Sequence, residues 1–316
     1  MQVVSIDYAF IDEDGEGRKR RKEREKRGEE REEGEGRGMP IIVIHDSKSK
    51  YVAAEIVPEK GVNEYAVRRV AQIDNRLGYR RVIIKSDQEA SIVALKGSVK
   101  RELELEVSFE ESPVGEHQSN GAVGNPIKRV QGQIRTVRDA LESRISERVK
   151  GGDNVFTWLV RNAAASMNRY QVGSDGRTAH ERLRGKRFRR DVAEFGESVL
   201  YIRAESVGKD KYNSRWEEGV FLGVREESGE IIVGTKEGVI KARAFRKKGS
   251  EKERLSNESV KSVGGIPWEP IPGREGIEIK SSVNLPRDES EIRKTEAGVE
   301  REVVRRRMKI VKEDIQ

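Results

Sequence analysis

Cysteine is absent from the 316 residues, and histidine occurs only at His45, His117 and His180. The absence of cysteine excludes disulfide bonds and any zinc site built from cysteine and histidine. No apolar run approaches the roughly 20 residues that a membrane-spanning helix needs, and the N-terminus shows no secretory signal. We therefore expect a soluble, intracellular protein with no membrane partner.

Hydrophobic residues are also scarce, at 34%, whereas charged residues make up 38% of the chain. Such a chain forms a core only if its charges are segregated into particular segments. Residues 12–38 consist only of Asp, Glu, Gly, Lys and Arg, so burial cannot offset their ordering entropy and we predict disorder there. The RKRRK run at 18–22 fits a nuclear import signal, although 11 acidic against 10 basic residues in the segment favour a solvated charge run.

Positive charge is concentrated in one part of the chain. Residues 128–190 contain 16 Lys or Arg and 6 Asp or Glu, whereas the whole chain has a net charge of only +7. A local excess of this kind suits the phosphate backbone of a nucleic acid. A solvated basic surface explains the charge alone equally well.

Apolar periodicity predicts an α/β domain in residues 1–11 and 39–190. In chain order, the predicted elements are a strand at 2–11, a hairpin at 40–57, a helix at 63–77, a strand at 80–87, a helix at 88–100, a strand at 103–109 and helices at 125–150 and 155–170. Three strands are thus followed by alternating helices and strands, which predicts a mixed sheet flanked by helices. The ribonuclease H-like fold has this order.

The remainder of the chain has a different character. Short β-type runs separated by glycine and charged turns predict a small β-barrel-like module at 191–247. From 248 to 316 the sequence is charged and rich in proline, and we predict a linker and a disordered tail.

Two aspartates occupy strand positions suited to metal chemistry. Asp7 interrupts the apolar first strand, and Asp87 ends the fourth. Two-metal phosphoryl transfer needs carboxylates that converge on a pair of cations, and Mg²⁺ prefers oxygen ligands. Taken singly, an acid at a strand end is more often a turn residue or a helix N-cap, and Asp87 would suit an N-cap.

The segments around these acids carry a family resemblance. They read SIDYAF, KSDQEA, SPVGEHQSNGAVGN before a basic helix, then NRYQVGSDGRTAHERLRGKR, FLGV and GIPWEP. Together they resemble the integrase of copia-type long-terminal-repeat retrotransposons, a relative of retroviral integrases. The resemblance covers about residues 2–272. It implies a piece of a polyprotein, because the family's His/Cys zinc domain is not found in this sequence.

The resemblance implies an active site with one residue missing. Asp7 and Asp87 match the first two metal ligands, for Mg²⁺ or Mn²⁺. Gly124 stands where the family has a glutamate, 37 residues after Asp87, a spacing close to the family's own. Glycine has no ligand atom, so we expect poor binding of a second metal and impaired polynucleotidyl transfer. Glu89 and Glu116 are nearby acids, but neither lies at the predicted helix start.

The resemblance also implies DNA as a partner, both element ends and target, with the nucleus as the place of action, and it allows a homo-oligomer. The residues expected to contact nucleic acid are Asn120, Lys128, Gln131, Arg135 and Arg138.

Two other functions fit the same residues. One is a non-catalytic DNA-binding or interaction protein that keeps the integrase fold and its basic face. The other is a ribonuclease H-type nuclease, which would need a further acid on the first helix, where Glu64 is the nearest candidate. A decaying copy without function is a further alternative.

Overall fold

A computed structural model describes residues 2–11, 39–111, 121–202, 215–274 and 276–283. The chain divides into two compact units, residues 1–281 and 282–316, and every element below belongs to the first. The predicted disordered insert at 12–38, residues 275 and 284–316 of the predicted linker and tail, Asn120 and Glu116 lie outside the described residues. No helix in the described ranges is long and apolar enough to cross a membrane.

A five-stranded mixed sheet with the order β3-β2-β1-β4-β5 forms the centre of this unit. Its strands are β1 (Gln2–Ile11), β2 (Met39–Asp46), β3 (Val52–Ile56), β4 (Arg81–Ser86) and β5 (Glu106–Glu111). The first three strands pair antiparallel, whereas β4 runs parallel to β1 and β5 runs parallel to β4. Both faces of β2 are covered, which explains its continuous apolar run.

Helices cover both faces of this sheet. They are α1 (Glu64–Leu77), α2 (Ala90–Glu102), α3 (Gly121–Ile145) and α4 (Asn154–Tyr170). Alternate residues of β2 enter separate cores: Ile42 and Ile44 join the core beneath α1 and α2, whereas Ile41 and Val43 join the core beneath α3 and α4. The predicted mixed α/β sheet flanked by helices is confirmed, as is the order of its elements.

The ends of some elements differ from the sequence prediction. Helix α3 begins at Gly121 and ends at Ile145, rather than spanning 125–150, so Pro126 lies inside it. Ser146 has a φ of 56°, which ends the helix, although Val149 beyond it is still buried. The apolar period therefore continues past the end of the helix and misleads the prediction.

A second sheet follows the short helix α5 (Ala179–Arg184). Its strands are β6 (Ser198–Ile202), β7 (Trp216–Val224), β8 (Ile231–Thr235), β9 (Gly238–Ala242) and β10 (Phe245–Lys247). They pair antiparallel in the order β10-β6-β7-β8-β9. These strands lie within the range of the predicted β-barrel-like module, but among the described strands the sheet is not closed into a barrel, and the module stays a prediction. The predicted boundary at residue 190 stays a prediction.

Helix α4 lies between the two sheets, and its residues share one core with both. Most of its residues are buried, as expected of a helix that is apolar on nearly all sides.

Residues 251–274 and 276–281 are folded, although the sequence predicts a linker from Lys248. They contain α6 (Glu251–Arg254) and α7 (Asn257–Lys261). The indole nitrogen of Trp158 on α4 donates to the Gly265 carbonyl at 3.1 Å, and Val260 and Val263 are buried. A few apolar side chains spaced among charged residues are enough to pack this segment against the core. Their spacing follows neither a helix nor a strand period, so periodicity does not predict them.

Candidate active site and nucleic-acid interface

The register between β1 and β4 places the two predicted acids near the same end of this strand pair. Gln2 pairs with Val82 and Ser5 with Lys85, where the pairing ends. Asp7 and Asp87 each lie two residues beyond that last pair, Asp7 within β1 and Asp87 directly after β4. The negative charge of Asp87 acts on the Asp7 carboxyl, so the two acids lie near each other beyond the paired part of the strands.

Local backbone contacts orient both carboxylates. The Tyr8 amide donates to Asp7 Oδ1 at 2.7 Å, and the Glu89 amide donates to Asp87 Oδ1 at 3.2 Å. The second contact is an Asx-type turn. Asp87 is not the N-cap of α2, because that helix begins at Ala90 and Glu89 is its N-cap residue.

Asp7 has an unusual electrostatic environment for an aspartate. Burial raises the pKa of its carboxyl to about 6, and the negative charges of Asp87 and Glu89 act in the same direction. The Tyr8 amide and the Lys60 ammonium oppose this rise. Because a carboxylate binds a cation only when it is ionised, a cation and a proton compete for Asp7 near neutral pH.

Lys60 and Glu89 complete this end of the site. Lys60 Nζ lies 2.5 Å from Glu89 Oε1, and its ammonium also lies 5.2 Å and 4.7 Å from the ring centroids of Tyr8 and Phe10. Burial raises the pKa of Glu89, but hydrogen bonds from Lys60 and Ser91 outweigh it and hold that pKa below its usual value. Glu89 thus lies close enough to influence Asp7 while its charge is held by a lysine.

A second lysine lies on the Asp87 side. Lys96 on α2 is only 1% exposed, and its ammonium lies 3.8 Å from a Glu111 carboxylate oxygen and 5.2 Å from the Phe109 ring centroid. Burial lowers the pKa of Lys96, whereas the charges of Glu111 and Asp87 raise it. The two aspartates are therefore flanked by cationic side chains that the sequence analysis did not include.

Gly124 lies in the first turn of α3 and supplies no side-chain ligand. Within the described ranges, no group of three or more His, Asp or Glu residues is placed to hold a metal ion. Asp7 and Asp87 do offer the donors that Mg²⁺ accepts together with water and substrate phosphates. Two carboxylates could serve as protein ligands of one divalent cation, and Gly124 adds no side-chain ligand for a second.

The basic face of α3 is only partly available. Lys128 and Arg135 are exposed, and neither has an acidic partner among the described residues. Gln131 is half-buried. Arg138 is half-buried as well, and its Nε lies 3.4 Å from Glu142 one turn along the helix. Lys128 and Arg135 are therefore the α3 residues best placed to meet a phosphate.

No protein-family model matches this sequence, and no curated protein matches it significantly. Among solved structures, the catalytic core domain of BIV integrase aligns with 57% of this chain and 91% of its own, at 16% identity and a TM-score of 0.35. The simian T-cell lymphotropic virus intasome, solved in complex with PP2A regulatory subunit B56 gamma, aligns over 79% of each chain, at 12% identity and a TM-score of 0.40. Values this low assign neither a family nor an activity.

Proposed function

We propose that this chain is a DNA-binding integrase core of the copia retrotransposon type, whose polynucleotidyl transfer is impaired at position 124. The observation that carries the proposal is that Asp87 follows the strand parallel to β1 and that its charge acts on the Asp7 carboxyl. The resemblance of the sequence around both acids supports the same assignment.

Asp7 and Asp87 would hold one Mg²⁺ or Mn²⁺ ion between them. When bound, such an ion stabilises the charge that develops on a phosphoryl oxygen. Both carboxylates must be ionised for this role, and the burial of Asp7 opposes ionisation below about pH 6. Lys128 and Arg135 would hold the phosphate backbone in place. We expect binding and cleavage to improve as the pH rises through the pKa of Asp7.

A glutamate restored at position 124 tests the impairment directly. Glutamate is a better helix former than glycine, and an acid in the first turn of a helix is favourable. The Gly124→Glu variant should therefore fold. Gly132→Glu is a matched control, because it adds the same charge about 12 Å further along the same helix, where an added Cβ meets only Arg135 Nη2, at 3.9 Å.

The assay is end processing and strand transfer on a labelled DNA duplex during a Mg²⁺ or Mn²⁺ titration. We expect little product from the natural chain and from Gly132→Glu, but clear product from Gly124→Glu. Asp7→Asn or Asp87→Asn should abolish that gain. Robust activity in the natural chain would refute the impairment, and a gain that survives Asp87→Asn would refute the site.

A non-catalytic DNA-binding protein is the second candidate. The Lys60–Glu89 pair favours it, because one of the two acids whose charges act on Asp7 is already paired with a lysine. Each exposed cation that contacts a phosphate should steepen the salt dependence of binding by about one unit of log–log slope. Lys128→Ala and Arg135→Ala should each flatten that slope, whereas Arg138→Ala, whose partner is Glu142, should change it less. An unchanged slope in the first two variants would exclude α3 as the binding face.

A further inference from the structure

An aromatic cluster lies at the C-terminal end of α4, away from the two aspartates. The ring of Phe188 contacts two others edge to face, with centroid distances of 6.0 Å to Tyr170 and 5.4 Å to His180. The guanidinium carbon of Arg169 lies 4.9 Å from the Phe188 centroid. Despite these contacts Tyr170 is 53% exposed, and its neighbour Val172 is 60% exposed. An aromatic ring and an aliphatic side chain two residues apart in the sequence are thus both exposed to solvent.

Phe188 also fixes a basic segment against this cluster. In residues 184–190 it is the one half-buried side chain in an otherwise exposed run. Residues 169–190 contain eight basic and two acidic residues. Both acids are already paired, Asp175 with Arg182 and Glu181 with Arg187. Lys186 and Arg189 are exposed and have no acidic partner in the described part of the chain.

The scaffold beneath the exposed residues is well fixed. Val172 forms an antiparallel bridge with Thr178, and Thr178 begins α5 with a reciprocal capping box. Arg169 is 7% exposed, and its Nη2 donates to the Val224 carbonyl at 3.0 Å. Tyr170 and Val172 are therefore held in place before any ligand arrives, which reduces the entropic cost of binding.

A recess beside Tyr170 adds polar groups to this surface. Tyr170 lines a cavity of about 250 Å³ whose wall also includes Thr136, Asn162 and Ser166. Hydroxyl and amide side chains can donate to or accept from the edge of a nucleobase. Gln171, the residue after Tyr170, accepts a hydrogen bond from Arg129 Nη2 of α3 at 2.6 Å. The aromatic cluster is therefore continuous with the basic helix.

We propose that Tyr170, Val172, Phe188, Lys186 and Arg189 form a binding surface for single-stranded nucleic acid. Unpaired bases stack on exposed aromatic rings, while basic side chains follow the phosphates. A duplex keeps its bases stacked internally and would leave Tyr170 and Val172 facing water. This surface goes beyond the proposed function, because neither aspartate takes part, and it adds single strands to the duplex DNA expected at α3.

The test compares two fluorescein-labelled DNA probes by anisotropy, a 12-nucleotide oligothymidylate and a 20-base-pair duplex. Tyr170→Ala should weaken binding of the single strand about tenfold, within the range measured for lost base–aromatic stacking, and change duplex binding less than twofold. Tyr170→Phe keeps the ring and should bind like the natural protein. Lys186→Ala with Arg189→Ala should flatten the salt dependence for the single strand, whereas Lys236→Ala, at an exposed turn between β8 and β9, should not.

Several outcomes overturn the inference. A single strand that does not bind, or that binds Tyr170→Ala as well as the natural protein, refutes it. Equal losses for both probes in Tyr170→Ala would show that the ring does not distinguish unpaired from paired bases, which refutes the single-strand surface. Displacement of the oligonucleotide by polyglutamate at equal charge would show that an acidic protein is the better partner. If the single strand does not bind but the duplex still binds through Lys128 and Arg135, the proposed function stands and this inference fails. If the single strand binds and the duplex does not, only the proposed binding of duplex DNA is refuted.

Discussion

Asp74 on α1 gives the clearest quantitative prediction, because its carboxyl is buried without any hydrogen-bond partner among the described residues. It is 2% exposed, and neither of its oxygens is paired. The neighbouring Asp46 is also buried, but it accepts hydrogen bonds from the Ser49 amide at 2.8 Å and the Tyr79 hydroxyl at 2.6 Å. Burial first, and then the charge of Asp46, raise the pKa of Asp74 to about 7.

The sign of the pH effect follows from this rise. Below about pH 4, Asp74 is protonated in both the folded and the unfolded chain, and its ionisation does not affect stability. As the pH rises to about 7, the unfolded chain loses the proton while the folded chain keeps it, so the free energy of unfolding falls. A rise from 3.8 to about 7 corresponds to a loss on the order of 4 kcal/mol. Above about pH 7 the loss is complete and stays constant.

The assay is urea unfolding of the natural chain, Asp74→Asn and Asp139→Asn at several pH values. Asp74→Asn has nearly the same shape and cannot ionise, so we expect it to exceed the natural protein in stability at pH 8 and to approach it near pH 4. Asp139→Asn changes an exposed acid on α3 and should follow the natural protein throughout. If the difference between Asp74→Asn and the natural chain is the same at both pH values, Asp74 does not carry the penalty described.

Two further substitutions have expected outcomes. Glu55→Gln removes the charge that Arg69 and Arg161 share in a buried site, with Nε to carboxylate distances of 2.7 and 2.9 Å. We expect the free energy of unfolding, measured with urea, to fall by about 3–5 kcal/mol, as for a broken buried pair. An unchanged stability would mean that water already solvates these guanidinium groups. Lys60→Gln removes the partner of Glu89 and a cation that lowers the pKa of Asp7. Carboxyl titration by NMR should therefore show a higher pKa for both Asp7 and Glu89. Unchanged titrations would mean that Lys60 is not part of the candidate site.

Local sequence signals account for much of the first sheet and its helices. The Asn63 side chain accepts from the Ala66 amide at 2.8 Å, and Gly78 ends the helix with a φ of 73°. A capping residue, a regular apolar period and a glycine able to adopt positive φ thus determine α1 within a few positions of the chain. The shared position of Asp7 and Asp87 in a metal site stays a prediction; the structure shows only that Asp7 lies within β1, that Asp87 follows the parallel strand β4, and that the charge of Asp87 acts on Asp7.

Interactions between distant segments were not predictable in this way. Lys60 enters the candidate site because the loop after β3 returns beneath Phe10, and nothing in the residues around Lys60 indicates that path. Phe188 is another example, since a single aromatic residue in a basic run has no periodicity. In both cases a cation and an aromatic ring meet across a long stretch of chain, at 4.7 Å for Lys60 with Phe10 and at 4.9 Å for Arg169 with Phe188.

Basic side chains have different partners near the two aspartates and at the end of α4. At the sheet edge, Lys60 and Lys96 lie close to the acids, so part of the local positive charge is already used inside the protein. At the end of α4, the acids are paired with other arginines, and Lys186 and Arg189 remain available to solvent. Lys60 and Lys96 lie outside residues 128–190, and no residue of that range is among the charges that act on Asp7, so the positive excess of 128–190 is separate from the cations around the two aspartates.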